Sequence, residues 1–116
     1  MSKTRIYHNP RCSKSRETLA ILQTHQQDIE IIEYLKTPPT ADELTQLLQQ
    51  LDMRPRQLLR SKESLYQELQ LDNEKLSDQA LIDAMCANPK LIERPIVVKA
   101  NKAALGRPPE AVLNIL

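Results

Sequence analysis

The apolar positions in the first third of the chain change their spacing twice. A short run at residues 4–7 is followed by Asn9 and Pro10, and because proline donates no backbone hydrogen bond, the run predicts a strand that ends there. Residues 13–26 contain good helix formers with leucines on one face, which predicts a helix. In residues 29–34 isoleucine alternates with glutamate, a pattern typical of a half-buried strand. The first three predicted elements are therefore strand, helix and strand.

The middle of the chain has a helical pattern. Thr40 and Glu43 follow two prolines, and their spacing is typical of a capping box, in which each side chain satisfies the other residue's free backbone N–H. Leucines at helical spacing come next, so we predict a helix over residues 40–52. Three further helical segments are predicted at residues 55–60, 64–69 and 77–87, the last with Ser77 as its cap and Leu81, Ile82 and Met85 inward.

The last quarter of the chain predicts two strands and a closing helix. Residues 96–98 are a β-branched triplet, short enough to be a strand buried on both faces. Residues 100–103 are predicted to form a hairpin turn, with Leu105 on the returning strand. Two prolines then precede the apolar stripe of a closing helix, formed by Val112, Leu113 and Leu116.

This order of elements predicts an α/β fold with a thioredoxin-like βαβ…ββα core, in which helices flank a mixed sheet and a helical insertion occupies the middle. With 116 residues, the chain has the size of one domain, and we expect residues 1–116 to form one. No apolar run approaches the roughly 20 residues of a membrane span. No apolar stretch follows the basic N-terminal residues, as it would in a secretory signal. We therefore expect a cytoplasmic protein that does not enter a membrane.

The formal charge of +1 is unevenly distributed along the chain. Residues 1–16 carry +5, residues 17–93 carry −7 and residues 94–116 carry +3, so the positive charge belongs to the two ends. The near-neutral total gives no reason to expect nucleic acid as a partner, and three scattered tyrosines are too few for a stacking platform. Gly106 is the single glycine, which excludes the Gly-rich loops that bind nucleotide phosphates.

Cys12 lies at the predicted start of the first helix, and this position is the main chemical signal of the sequence. The free N–H groups of a helix start carry about half a positive charge, so they stabilise a thiolate and attract anions. Cationic neighbours also lower the pKa of a thiol. Four basic side chains stand within four positions of Cys12: His8, Arg11, Lys14 and Arg16. A buried core cysteine is the alternative interpretation, but it needs no basic surroundings. We therefore predict that Cys12 is a nucleophile.

The third residue after Cys12 is Ser15, so the motif is CxxS and lacks the second thiol with which a dithiol oxidoreductase closes its own disulfide. An oxidised adduct on Cys12 must therefore be reduced by an outside thiol. Cys86 stands at helical spacing from Ile82, and we interpret it as a packed structural thiol. The two cysteines form neither a disulfide framework nor a zinc-ligand spacing, so we predict no metal site.

Several short motifs follow one another over about a hundred residues. In chain order they are Tyr7-His8-Asn9-Pro10 with Cys12 and Ser15-Arg16, then Leu58-Leu59-Arg60, Arg94-Pro95-Ile96-Val97-Val98 and Arg107-Pro108. Their order and spacing resemble the glutaredoxin-linked arsenate reductase family over nearly the whole chain. The resemblance implies a thioredoxin-like core with a helical insertion, and the reduction of arsenate to arsenite.

The resemblance also implies how an oxyanion would be held. Cys12 would attack arsenate, or a similar oxyanion, and form a cysteinyl arsenate ester. Arg60, Arg94 and Arg107 would surround the oxyanion, a task that suits a planar guanidinium because it donates paired hydrogen bonds. Outside this context, each arginine would be interpreted as a solvated residue or as the partner of an aspartate or glutamate.

Further roles follow from the same resemblance. His8 and Ser15 match residues that support the thiolate, and Pro95 matches a cis-proline at the site. Glutathione would be the co-substrate and glutaredoxin the protein partner that regenerates the enzyme, with no bound cofactor.

One local difference from the family lies beside the nucleophile. Ser13 and Lys14 stand where arsenate-reducing members commonly have Gly-Thr, which places a bulkier and a charged residue next to Cys12. Two other functions stay open. One is a glutathione-linked thiol oxidoreductase that acts on another substrate. The other is a non-enzymatic redox regulator that binds RNA polymerase, although such regulators typically present CxxC.

Overall fold

Four short strands make up one mixed sheet in the order β2-β1-β3-β4. In the computed structural model, which describes residues 3–116, the strands are β1 (Thr4–Tyr7), β2 (Ile29–Ile32), β3 (Ile96–Lys99) and β4 (Lys102–Leu105). β1 pairs in parallel with β2 and antiparallel with β3, and β3 pairs antiparallel with β4. This sheet confirms the predicted α/β fold, with its βαβ start and its returning hairpin.

Helix α1 (Ser13–Thr24) connects the parallel strands β1 and β2, which need such a crossover because a tight turn cannot join them. Its Leu22 is fully buried in a cluster with Ile6 of β1, Val97 of β3 and Val112 near the C-terminus. This small core holds α1 against the sheet, and therefore holds the start of α1 close to the end of β1.

β2 is an edge strand and is less buried than the alternation in its sequence suggested. Ile31 is 49% exposed, and its neighbour Glu30 is exposed as well. Successive strand residues point to opposite faces, so neither face of the sheet is covered at this position. Glu30 forms an ion pair with Arg5 of β1, with 3.1 Å between Oε1 and Nε.

The hairpin between β3 and β4 is tighter than predicted. Lys99 pairs with Lys102, so the turn consists of Ala100 and Asn101 alone and the strand resumes within the predicted turn at residues 100–103. Ala100 adopts a left-handed φ of 56°, a conformation that an L-residue with a side chain takes at a cost of about 1–2 kcal/mol.

The closing helix is a 3₁₀ helix over Pro109–Ile115. A 3₁₀ helix has three residues per turn, so residues three apart share a side. Pro109 and Val112 are accordingly buried, whereas Leu113 is 42% exposed. The prediction that Leu113 belongs to the buried stripe was wrong because it assumed the wider period of an α-helix.

Two compact units divide the chain. The sheet unit contains the residues up to Thr37 together with Arg94–Leu116, and the helical unit is Pro38–Glu93. The helical unit corresponds to the helical insertion predicted for the middle of the chain. The expectation of a single domain over residues 1–116 stays a prediction.

The helical unit begins with the predicted capping box. Thr40 Oγ1 accepts a hydrogen bond from the Glu43 N–H, and the Thr40 N–H donates to Glu43 Oε1, both at 3.1 Å. The helices are α2 (Ala41–Leu51), α3 (Pro55–Leu58), α4 (Ser64–Glu68), α5 (Asp78–Ala87) and a 3₁₀ helix at Pro89–Leu91. Ser77 caps α5 by accepting from the Ala80 N–H. Within residues 3–116, none of the helices has the length and apolar character to cross a membrane.

Candidate active site

The thiol of Cys12 lies at the start of α1, in the loop that follows β1. Cys12 is the N-cap residue, with an extended backbone, and its carbonyl accepts a hydrogen bond from the Arg16 N–H at 3.0 Å. Its own N–H donates to the Asn9 carbonyl at 3.0 Å, so the turn at Asn9-Pro10 determines where the helix begins. The residue is buried, with 9% of its surface exposed.

The surroundings of Cys12 favour its charged form. Burial raises the pKa of the thiol, but four other groups lower it and together outweigh burial, so the pKa lies below its ordinary value. In order of effect these are the Ser15 N–H, the Arg94 guanidinium, the Lys14 N–H and the Arg107 guanidinium. The two N–H groups belong to the first turn of α1, which contains no acidic side chain.

Arg94 and Arg107 stand at the two ends of the β3–β4 hairpin, and the hairpin brings them together. The Arg107 Nε donates to the Arg94 carbonyl at 2.8 Å. The Arg107 Nη2 donates toward Cys12 Sγ at 3.9 Å. Arg94 is partly buried and Arg107 is exposed. Two arginines that are thirteen positions apart therefore act on the same thiol.

Each of these arginines precedes a proline, Pro95 or Pro108, and both peptide bonds are cis. The resemblance implied the first of these bonds. The Gly106 N–H donates to the Pro95 carbonyl at 2.9 Å. A Cβ on Gly106 would lie 2.5 Å from Thr18 Oγ1 and 2.7 Å from Pro95 Cγ, so the close approach of these segments requires glycine. From the sequence, Gly106 served only to exclude nucleotide-binding loops. Its being the single glycine was the available sign of a position where the backbone packs too closely for a side chain.

His8 and Ser15 form a buried hydrogen bond that joins the end of β1 to the start of α1. The distance between His8 Nδ1 and Ser15 Oγ is 2.7 Å, and Ser15 Oγ also accepts from the Asn9 N–H at 3.0 Å. Because the backbone N–H of the same serine lowers the pKa of Cys12, Ser15 links His8 to the thiol. The sequence identifies Asn9 as part of the break before α1 but does not predict its hydrogen bond to Ser15.

The pKa of His8 lies below its ordinary value. Burial lowers it, Glu33 raises it and Arg16 lowers it further. The imidazole is therefore neutral near pH 7, and among the four basic neighbours counted from the sequence, His8 does not act as a cation. Its contribution is the hydrogen bond to Ser15. Glu33, which partly offsets the burial, was not predicted as a neighbour of the site.

Arg60, the third arginine implied by the resemblance, belongs to the helical unit. Its backbone is held by the pairing of Leu59 with Ile92, and its N–H donates to the Leu91 carbonyl at 2.8 Å. Two carboxylates flank the guanidinium: Glu63 Oε2 is 3.0 Å from Nη1, and Glu93 Oε1 is 3.4 Å from Nε. Sequence reasoning did not foresee these two partners.

The pKa of Cys86, on α5, is shifted in the opposite direction to that of Cys12. It is half-buried, and burial raises the pKa of its thiol, as do the nearby carboxylates of Asp83 and Glu43. Cys86 therefore stays a neutral thiol near pH 7. Among residues 3–116, no group of three or more His, Cys, Asp and Glu side chains could hold a metal ion.

Comparison with known proteins gives a consistent result. The family model described as the ArsC family matches residues 7–115. The uncharacterized protein YfgD of Escherichia coli (strain K12) is 55% identical over 115 residues, which are 98% of this chain and 97% of that protein. An arsenate reductase of the same organism is 47% identical over 100% of this chain and 82% of its own length. Among solved structures, an arsenate reductase from Vibrio cholerae matches with 53% identity and a TM-score of 0.96, over 99% of this chain and 98% of that one.

The mixed sheet, the crossover helix that begins at Cys12 and the returning hairpin define a thioredoxin-like α/β protein with a cysteine at its first helix start. The chain belongs to the ArsC family, whose model spans almost its whole length. The resemblance recognised in the motifs is thereby confirmed.

Proposed function

We propose that the protein reduces arsenate to arsenite, with Cys12 as the nucleophile and external thiols as the source of electrons. The observation that carries this proposal is the Arg107 guanidinium 3.9 Å from Cys12 Sγ, at the start of α1. A thiolate and an oxyanion are stabilised by the same groups, N–H donors and fixed positive charge, and this site offers both beside the sulfur. The similarity to proteins described as arsenate reductases supports arsenate as the substrate.

Arsenate binds at the first turn of α1, where its oxygens accept hydrogen bonds from backbone N–H groups and from Arg94 and Arg107. Arg60, the third arginine that the resemblance implies, pairs with Glu63 and Glu93 within the helical unit, so we assign these hydrogen bonds to Arg94 and Arg107.

In the first step the Cys12 thiolate attacks arsenic. A bond forms between sulfur and arsenic, and the bond from arsenic to one hydroxyl oxygen of arsenate breaks. That oxygen takes up a proton from solvent and leaves as water, so the product is a cysteinyl arsenate ester in which arsenic is still As(V). The arginines and the helix N–H groups stabilise the negative charge on the remaining oxygens. The lowered pKa of Cys12 increases the fraction of thiolate that is available for this attack.

In the second step a glutathione thiolate attacks the sulfur of Cys12. The bond between sulfur and arsenic breaks and its electron pair stays on arsenic, so As(V) becomes As(III) and arsenite leaves. Cys12 and glutathione are then joined in a mixed disulfide. The glutaredoxin thiolate attacks the glutathione sulfur of that disulfide and releases the Cys12 thiolate. A second glutathione then takes the glutathionyl group from glutaredoxin and leaves as glutathione disulfide. Over one cycle two glutathione thiols each lose one electron and arsenic gains two.

Neither position that could have supplied a second thiol does so, which supports this dependence on outside thiols. Position 15 is serine, so no second thiol stands at the CxxC position, and the raised pKa of Cys86 makes that side chain a poor attacking thiol. His8 acts as a positioning residue, because it holds Ser15 and thereby the N–H that faces the thiolate.

The proposal is tested by arsenate-dependent oxidation of NADPH, coupled through glutathione, glutaredoxin and glutathione reductase. We expect Cys12→Ser to lower the rate to background and the matched Cys86→Ser variant to retain it. Activity in Cys12→Ser would refute the proposal. If the wild-type protein shows no arsenate turnover, yet Cys12 is glutathionylated and then released by glutaredoxin, the protein is a glutathione-linked thiol oxidoreductase with another substrate.

A further inference from the structure

We propose that Arg11 and Lys14 bind the two carboxylates of glutathione when its sulfur approaches Cys12. This inference rests on the proposed function, because it concerns the thiol that reduces the enzyme. It assigns a chemical role to two exposed cations that neighbour Cys12 in the sequence.

The two side chains stand on either side of Cys12 in the sequence and are exposed, whereas Cys12 is buried. Neither charged group has an ion-pair partner among residues 3–116. Arg16 differs, because its Nη1 donates to the Pro10 carbonyl at 2.9 Å. The first acidic side chain along α1 is Glu17, in the second turn. The segment around Cys12 therefore carries two exposed cations without an ion-pair partner among the described residues, and no carboxylate in the first turn of the helix.

The size of the ligand decides which groups it can meet. An arsenate ion bonded to Cys12 Sγ is small, and it contacts groups close to the sulfur, such as Arg107. Glutathione is a tripeptide with its thiol in the middle and one carboxylate at each end. When its sulfur reaches Cys12, its carboxylates remain several ångströms away, at the protein surface. Arg11 and Lys14 are exposed cations that flank Cys12 in the sequence, and we assign the two carboxylates to them.

The test measures how fast glutathione disulfide modifies Cys12, in a Cys86→Ser background and without arsenate. The Cys12 thiolate attacks one sulfur of the disulfide, the disulfide bond breaks, and a glutathione thiolate leaves. Mass spectrometry follows the mixed disulfide on the protein. The same rate is measured with bis(2-hydroxyethyl) disulfide, which undergoes the same exchange but has no carboxylates.

We expect Arg11→Gln and Lys14→Gln each to slow the reaction with glutathione disulfide by about 2- to 5-fold, the scale of an exposed ion pair, and the double variant to slow it further. The reaction with the uncharged disulfide should not change. The matched control is Lys102→Gln, which removes the same charge from β4. Lys102 pairs with Lys99 beside Thr4, at the opposite end of β1 from Cys12, so its variant should react like the parent protein.

Two outcomes would overturn the inference. Equal slowing with both disulfides would mean that the cations act on the thiolate of Cys12, and unchanged rates would mean that they do not meet glutathione. Both outcomes are independent of arsenate turnover. If the protein reduces arsenate but lacks this selectivity, the proposed function stands and the inference about Arg11 and Lys14 fails. If it shows the selectivity but no arsenate turnover, the inference stands and the proposed function fails.

Discussion

Cys12 and Cys86 differ in the direction in which their surroundings shift the pKa of the thiol. Burial raises it at both residues. At Cys12 the helix N–H groups and two arginines reverse that effect, whereas at Cys86 the carboxylates of Asp83 and Glu43 add to it. The pKa values of the two thiols therefore shift in opposite directions, although both residues are free cysteines.

The lowered pKa of Cys12 makes the stability of the protein depend on pH. Between the folded-state pKa and the unfolded value of about 8.5, the unfolded chain binds more protons at this residue, so the free energy of unfolding rises with pH. The contribution is complete above the unfolded pKa and is lost as the pH falls through the folded one. We expect the stability of the wild type relative to Cys12→Ser to rise over this window, as measured by urea denaturation at several pH values.

The other cysteine supplies the control for this measurement. Because the pKa of Cys86 is raised in the folded state, its contribution is present below the unfolded pKa and is lost as the pH rises above that value. The stability of the wild type relative to Cys86→Ser should therefore fall with pH. A rise for Cys86, or no pH dependence for Cys12, would contradict the opposite directions of the two pKa shifts.

The hydroxyl of Ser15 is expected to stabilise the folded protein through its two buried or partly buried hydrogen bonds. Ser15→Ala leaves the buried His8 Nδ1 and the Asn9 N–H without their bonds to Oγ, which costs about 1–3 kcal/mol of stability. The control is Ser13→Ala, two residues earlier in the same turn. Ser13 is exposed, and its replacement should change the free energy of unfolding by less than about 0.5 kcal/mol. If chemical denaturation gives the same small change in the free energy of unfolding for both variants, the hydrogen bonds of Ser15 do not stabilise the fold.

The sequence alone predicts where Cys12 lies but not the charge of all its neighbours. The helix start follows from the break at Asn9-Pro10 and from the residues after it. Whether His8 is charged depends on burial, which the surrounding elements determine. The partners of Arg60 illustrate the same limit, because Glu93 is thirty-three positions away and meets Arg60 only when Leu59 pairs with Ile92.

At the scale of secondary structure, predictions succeed where the signal is local. The capping box at Thr40 and the Ser77 cap depend on residues three apart, and both are confirmed. Residues 109–115 fail this condition. Their apolar spacing fits both the α-helical period and the shorter 3₁₀ period. The structure has the 3₁₀ helix, in which Val112 is buried against Ile6 and Leu22 of the sheet unit. Exposure of Ile31 likewise depends on the position of β2 at the edge of the sheet.

The β3–β4 turn offers a test at this scale. Ala100 has a φ of 56°, which glycine adopts readily, so we expect Ala100→Gly to raise the free energy of unfolding by about 0.5–1 kcal/mol. Ala103→Gly makes the same chemical change within β4, where extra chain freedom lowers stability by about 0.5–1 kcal/mol. Thermal or urea denaturation distinguishes the two, and a loss of stability in both variants would rule out strain at Ala100.

For the whole molecule, the near-zero net charge conceals two units of opposite sign. The sheet unit has ten Lys and Arg side chains against five Asp and Glu, a formal charge of +5. The helical unit has six against ten, a formal charge of −4. The nucleophile Cys12 belongs to the positive unit. A positive field of this kind raises the local concentration of anionic reagents.

This field should be visible in the salt dependence of Cys12 alkylation. From about 0.01 M to 1 M salt, the Debye length falls from about 30 Å to about 3 Å, so remote charges are screened. We expect the rate constant with anionic iodoacetate to fall over this range in a Cys86→Ser background. Neutral iodoacetamide is the matched reagent, and its rate constant should change little. Parallel salt dependence of the two reagents would show that the field does not act at Cys12.

The pairing of β1 with β3 has a consequence for the synthesis of the chain. Tyr7 pairs with Ile96, so about ninety residues separate two strands that lie side by side. A ribosome adds about 5 to 20 residues per second, so the central strand is made about 5 to 18 seconds before its partner. Until then β1 can pair only with β2, and its other edge is open to neighbouring nascent chains. Translation speed, and chaperones that shield this edge, should therefore influence the yield of folded protein.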